Sequence, residues 1–327
     1  MSAPELASRT HPRIAVILPC FNEAGAIAAV IADCRAALPH ASIYVFDNSS
    51  TDGTADVARA HGATVTKVAL RGKGNVVRRM FADVEADVYL MVDGDATYDV
   101  SNAAQMVDRL VRGNLDMVVG ARFDDGRNPQ TYRPGHRLGN RMLTSAVSAL
   151  FGGHFKDMLS GYRIFSRRYV KSFPAAAHGF ETETELTVHA LELRMPYLEL
   201  PAPYLARPEG TQSKLSTFSD GWRILATILR LFISERPLAF FTIAAGLMAV
   251  LSVSLSVPLV LEYLETGLVP RLPTALLSVG IMLSAMLAQM SGAILHTVTL
   301  GRQEAKRLVY LSIPAPRACI HAEEDSR

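Results

Sequence analysis

Short apolar runs recur along the first third of the chain, each closed by a polar cluster and followed by apolar residues at helical spacing. Residues 14–19 read as a buried strand, and Ile27, Val30, Ile31, Cys34 and Leu38 place a helix after it. The pattern continues with a strand over 42–47, a helix over 51–61 stopped by Gly62, and a strand over 64–68. A helix over 75–84, a strand over 88–92, a helix over 101–112 before Gly113 and a strand over 115–120 complete the regular part. This alternation predicts an α/β domain with a doubly wound, mostly parallel sheet, whose ligand sits beyond the C-terminal ends of the strands. From residue 123 to about 180 the pattern loosens, with a helix expected over 139–151; a helix over 181–194 and a strand over 197–206 follow.

The last third changes character. In 219–234, Trp222, Leu225, Ile228, Leu229 and Phe232 share one side and Arg223 and Arg230 lie elsewhere. Such a helix fits a lipid interface or packs on the domain. Residues 237–261 carry no charge, and 272–300 carry one titratable group, His296. At about 1.5 Å per residue each run crosses a hydrocarbon core of about 30 Å, so a membrane hairpin is expected. Arg223, Arg230, Arg236, Arg302, Lys306 and Arg307 flank its outer ends, which places both termini and the catalytic residues in the cytoplasm, on a multi-pass protein of the cytoplasmic membrane. Met1 to Arg13 lacks an apolar core, so no secretory leader is expected. The hydrophobic share of 49% is high, its excess sits in this last third, and a net charge of +2 gives no reason to expect nucleic acid. Cys20, Cys34 and Cys319 form no C-x-x-C pair, so reduced thiols are expected.

The candidate chemistry lies where strands end. Tyr89-Leu90-Met91-Val92 runs into Asp93-Gly94-Asp95; on a strand the two carboxylates alternate back to one face. Two hard oxygen ligands suit Mg²⁺ or Mn²⁺, whose remaining shell substrate phosphates fill. Pro19 fixes the turn after the first strand, Phe21 can lie against a base, and Glu23 can accept from ribose or base donors, although Asn22-Glu23 also reads as a helix cap. Asp47 is placed to accept from a base N–H or a ribose hydroxyl, and Asp52 to cap the next helix. Lys73, between two glycines, reads as a phosphate contact.

Pro19-x-Phe21-Asn22-Glu23, Asp47-Asn48-Ser49-Ser50-Thr51-Asp52-Gly53-Thr54 and Asp93-x-Asp95 resemble, in order and spacing, the family 2 glycosyltransferases with the GT-A fold. Gly72-Lys73-Gly74-Asn75, Asp157-Met158-Leu159-Ser160-Gly161-Tyr162-Arg163, 179–186 and 210–215 resemble the polyprenyl-phosphate branch, which includes dolichol-phosphate mannose synthase. The likeness covers about residues 14–236, and the hairpin is similar to that of the bacterial members. It implies that Pro19, Phe21, Glu23 and Asp47 hold the nucleoside of a nucleotide-sugar donor. Asp93 and Asp95 would hold the metal and diphosphate, and a polyprenyl phosphate such as undecaprenyl phosphate would be the acceptor. Two departures stand out: many members carry Asp where Asn48 stands, and Gln where Thr97 stands.

A lipid phosphate is already an anion and needs no general base; it needs its charge neutralised. Arg122, Arg137, Arg163 and Lys214 are the candidates, with Arg122 and Arg163 also counted as catalytic beside Asp95 and Asp157. Arg137 lies in a basic run that solvent or lipid headgroups also explain, and Asp157 reads as a cap, a partner orienting an Arg, or an acceptor contact. Glu183 and Glu185 read as helix N-terminal acids or sugar contacts. The expected organisation is a disordered 1–13, a GT-A domain over 14–214, an interfacial amphipathic helix over 215–236, two transmembrane helices over 237–301 and a cytoplasmic tail over 302–327. The resemblance further implies a homo-oligomer, with the tetramer known among similar bacterial proteins. A processive polysaccharide synthase would need a Gln-x-x-Arg-Trp motif, and the only tryptophan, Trp222, follows Gly221. A non-catalytic nucleotide-sugar-binding scaffold is the alternative from another class.

Overall fold

The structure, a computed structural model, describes residues 12–123, 136–153, 155–175, 181–205, 226 and 229–315. Two compact units divide the chain: Met1–Ile224 with Lys306–Arg327, and Leu225–Ala305.

In the first unit β1 (Ile14–Cys20), β2 (Ser42–Asp47), β3 (Thr64–Lys67), β4 (Val88–Met91), β5 (Met117–Phe123), β6 (Arg163–Ser166) and β7 (Tyr197–Pro203) form one sheet in the order β3-β2-β1-β4-β6-β5-β7. The strands run parallel except β6, which is antiparallel to both β4 and β5. The helices of this unit are α1 (Ile27–Ala37), α2 (Thr54–Ala60), α3 (Lys73–Asp83), α4 (Ala103–Arg112), α5 (His136–Phe151), α6 (Arg167–Ser172) and α7 (Thr182–Glu192). The period-two alternation of the central strands feeds two cores. Val88, Leu90 and Ile164 join Val16, Leu18, Ile27 and Leu110 on one face. On the other, Tyr89 and Phe165 meet Phe81, and Tyr169 and Phe173 extend the aromatic layer.

The expected strands and helices up to residue 123 all form, with ends shifted by a few residues. β6 and α6 occupy the stretch where no element was expected. β6 is Arg163-Ile164-Phe165-Ser166, four buried residues with the polar ones at both ends, so it shows no alternation to read.

His189 sits in the aromatic layer at 2% exposure, edge-on to Tyr169 and Phe173, with Nε2 3.0 Å from Ser172 Oγ. Burial, and then the charge of Lys306, push its pKa down to about 3. Lys306, counted with this unit, pairs with Glu192 at 2.6 Å. The unfolded chain therefore takes up a proton near pH 6.5 that the native state refuses until about pH 3, and stability falls as pH drops through that window. Between pH 6.5 and 5 the loss should reach up to about 2 kcal/mol. His189→Phe should flatten that part of the curve in denaturant titrations at the two pH values; an unchanged slope would show that His189 is not its source.

The second unit holds α8 (Pro237–Thr266) and α9 (Leu272–Leu311) as far as Ala305. Only 11% of each apolar window is buried, unlike core helices. Beyond Pro237 at the start of α8, the buried positions are Ala245, Ser252 and Leu259 on α8 and Ser278, Ala285, Gly292 and Thr299 on α9. Both sets repeat every seventh residue, the spacing of a coiled-coil seam built on small side chains. Ser252 Oγ donates to Ser278 O at 2.7 Å, and a Cβ at Gly292 would collide with Phe241. Of the expected interfacial helix, 226 and 229–235 are helical, Arg236 is the non-helical residue before α8, and the remainder lies outside the described residues.

Candidate active site

The loops after β1 and β2 clasp each other. Asn22, at φ 54°, donates its N–H to Ser50 Oγ at 2.9 Å and accepts from Thr51 N at 2.9 Å. Glu23 N donates to Thr54 Oγ1, and its carbonyl starts α1 by accepting from Ala26 and Ile27. Asp52 accepts from Thr54 N and Ala24 N, so it ties the two loops together as well as serving the start of α2. Asp47 is 1% exposed and accepts from Ser50 N. Pro19 is half-buried, and Phe21 lies under the Arg71 guanidinium at 5.2 Å.

Asn48 carries the third loop. Its amide donates to Val68 O and Leu70 O, and its Oδ1 accepts from Gly72 N. An aspartate there has no donor for the two carbonyls. This loop delivers Lys73 to the first position of α3, behind Gly72 at φ 120°.

The paired aspartates require a correction. β4 ends at Met91, so Asp93 and Asp95 stand on a turn and not on a strand, and alternation does not set their directions. Ala96, at φ 56°, turns the chain back, and Asp95 Oδ1 accepts from Thr97 N and, at 2.6 Å, from Thr97 Oγ1. Thr97 orients the carboxylate. Asp93 Oδ1 lies 2.5 Å from Lys73 Nζ, and the same ammonium lies 2.6 Å from Glu183 Oε1. Burial favours the neutral amine, yet the charges of Asp93 and Glu183 outweigh it and hold Lys73 well above the usual lysine range. Cys20, buried at the end of β1, is pushed up by burial and then by the negative charges of Glu23, Asp47, Asp93 and Asp95. A buried thiol so placed is not a nucleophile.

Asp93 and Asp95 fit a divalent ion that shares its shell with phosphates, since such an ion takes one or two protein carboxylates. Among the described residues no group of three or more His, Cys, Asp or Glu forms a closed metal site. The Lys73 ammonium on Asp93 shows that the turn already attracts a cation.

The segment before β6 closes the site from the other side. Asp157 takes Arg122 Nε at 2.6 Å and Nη2 at 2.8 Å, a bidentate pair that stacks against Tyr204 at 5.6 Å. Asp157 thus orients Arg122. Gly161 N donates to Tyr98 Oη at 2.9 Å, and a Cβ at Gly161 would overlap the Asp93 carboxylate. Tyr98 and Gly161 escaped the sequence reading; their only sequence signal was membership of the motifs.

Arg163 is the second correction. It is 0% exposed and cannot face an acceptor. Its guanidinium donates to Ser160 O, Met158 O, Glu183 O and Thr187 Oγ1, so it fastens the 157–162 segment to the start of α7. Arg137 falls within α5, but its side chain lies outside the described residues, as does Lys214.

The profile of the family described as Glycosyl transferase family 2 matches residues 15–173. Glycosyltransferase AglJ of Haloferax volcanii is 35% identical over 233 residues, which is 71% of this chain and 76% of that protein. A dolichyl-phosphate hexose transferase of the same organism is 26% identical over 69% of this chain and 97% of its own length. Among solved structures, glucosyl-3-phosphoglycerate synthase of Mycobacterium tuberculosis, in complex with Mn²⁺ and UDP-glucose, superposes with a TM-score of 0.55. It is 23% identical and covers 70% of this chain and 83% of that one; at this identity the likeness speaks to the fold alone.

Proposed function

The chain belongs to glycosyltransferase family 2 and has the GT-A fold, and from that premise we propose that it moves one sugar from a UDP- or GDP-sugar to a polyprenyl phosphate at the cytoplasmic face of a membrane. The observation that carries this reading is the acidic turn at Asp93 and Asp95 with the Lys73 ammonium against it. Opposite charges so placed suit a divalent cation and an anionic diphosphate together. The likeness to the dolichyl-phosphate hexose transferase supports a lipid phosphate as acceptor, and the two apolar helices support a membrane setting.

The chain's own groups then divide the work. Phe21 and Asp47 hold the nucleoside, the ring as a stacking face and the carboxylate as an acceptor. Lys73 lies against the diphosphate, and Asp93 and Asp95 would hold the divalent ion beside it. A bound Mg²⁺ or Mn²⁺ supplies charge neutralisation for the departing nucleoside diphosphate. Arg122, held by Asp157, offers its charge to the incoming lipid phosphate. A phosphate oxygen of the lipid bonds to the anomeric carbon as the bond from that carbon to the diphosphate oxygen breaks. In-line attack inverts the carbon, as the family likeness implies. Asp157 leaves no base function to Arg122, and none is required of a nucleophile that is already an anion.

Membranes carrying the full chain, incubated with Mn²⁺, polyprenyl phosphate and labelled UDP-glucose, UDP-N-acetylglucosamine or GDP-mannose, should yield one lipid-linked sugar that vanishes with chelator. No labelled lipid from any of the three would overturn the reading in favour of a binding scaffold.

A further inference from the structure

Glu183 lies in the first turn of α7, its side chain 7% exposed. Oε1 takes the Lys73 ammonium at 2.6 Å. Oε2 is buried and has no hydrogen-bond partner among the described residues. A buried acceptor without a donor costs about 1–3 kcal/mol, and more when charged. The chain nevertheless fixes this residue in place: Arg163 Nη2 donates to its carbonyl at 3.2 Å and Thr187 Oγ1 at 3.1 Å. Lys73 does not need a second counter-ion, because Asp93 already faces it at 2.5 Å.

The missing partner has to be a donor. A diphosphate carries only acceptor oxygens at neutral pH and would be repelled. A divalent ion is served by Asp93 and Asp95, and the Lys73 ammonium stands between Asp93 and Glu183. A sugar hydroxyl is neutral, donates, and must lie beside the diphosphate to which its anomeric carbon is bonded. We propose that Glu183, through Oε2, accepts a hydrogen bond from a hydroxyl of the donor's sugar and so determines which sugar the site admits. This rests on the glycosyltransferase reading above. It makes Glu183 a specificity-determining residue, and a site built to pair a hydroxyl discriminates strongly against a sugar that lacks it.

The test is equilibrium binding to the full chain in lipid nanodiscs with saturating Mn²⁺. UDP and GDP are compared with UDP-glucose, UDP-N-acetylglucosamine and GDP-mannose, and the best ligand is compared with its single-deoxy sugar analogues. Glu183→Ala should weaken the best nucleotide sugar by about 10-fold or more while its parent nucleotide changes by less than about 3-fold. One deoxy analogue should lose a similar factor on the wild type and nothing further on Glu183→Ala, the mark of a direct pair. Glu183→Gln, which keeps an acceptor oxygen, should recover part of the loss and serves in its place if the alanine variant does not fold. Equal weakening of nucleotide and nucleotide sugar would assign Glu183 to holding Lys73 and overturn the proposal. So would a wild type indifferent to every deoxy analogue. If the wild type binds no nucleotide sugar at all, the glycosyltransferase reading fails with it; if it binds one and the variants do not discriminate, only this inference fails.

Discussion

Asp95→Asn should leave the chain folded and remove sugar transfer by on the order of 100- to 1,000-fold, the scale of losing one group aimed at developing charge. The substitution is nearly isosteric. The side-chain oxygen can still accept from Thr97 N and Thr97 Oγ1, so the turn at Ala96 keeps its support. What disappears is one negative charge from a 7% exposed position where a divalent ion and the diphosphate are expected to meet. Initial rates of lipid-linked sugar formation, beside thermal melts of the same preparation, separate chemistry from folding. Near-normal rates would remove Asp95 from the metal assignment.

Arg163→Met should act in the opposite sense, through stability. Burial pulls this guanidinium below its usual range, yet its donors reach the carbonyls of Met158, Ser160 and Glu183. Methionine fills much of the space and satisfies none of them, which should cost about 3 kcal/mol or more. In a domain of this size that lowers the melting temperature by roughly 10 °C. Lysine should rescue little, because a single ammonium cannot reproduce the fork. A change below about 1 kcal/mol in equilibrium denaturation would show that the fastening is not structural.

The parallel half of the sheet was legible because its central strands, β1 and β4, are apolar runs and its helices carry apolar residues at regular spacing. β2 even keeps its expected ends, 42–47. β6 was not legible: its four residues are all buried, and only its neighbours β4 and β5 define it as a strand. The position of Asp47 was readable for the same reason as the strands, since it closes one of them. The phosphate side was read with two errors of one origin. Asp93 and Asp95 were read as closing a strand that in fact stops at Met91, and Arg163 was assigned to the acceptor phosphate because a guanidinium is seldom fully buried. Local pattern carries neither fact; each depends on contacts made far along the chain. Asn48 shows the converse. In the sequence it stood out only as a departure from the family, whereas in the structure its amide supports the loop that brings Lys73 into place.

β6 runs against both of its neighbours, with Arg163 opposite Met91 at the end of β4. Chain leading into such a strand enters at the rim where the parallel strands leave, which is how Asp157 and Gly161 come to face residues encoded far ahead of them. During synthesis, a ribosome that has released only the first four strands has exposed half of this rim. The other half arrives with the sixth strand and the helix behind it, so the rim is completed late in translation, and a product truncated before residue 183 carries the Lys73–Asp93 pair without the Glu183 carboxylate that shares the ammonium.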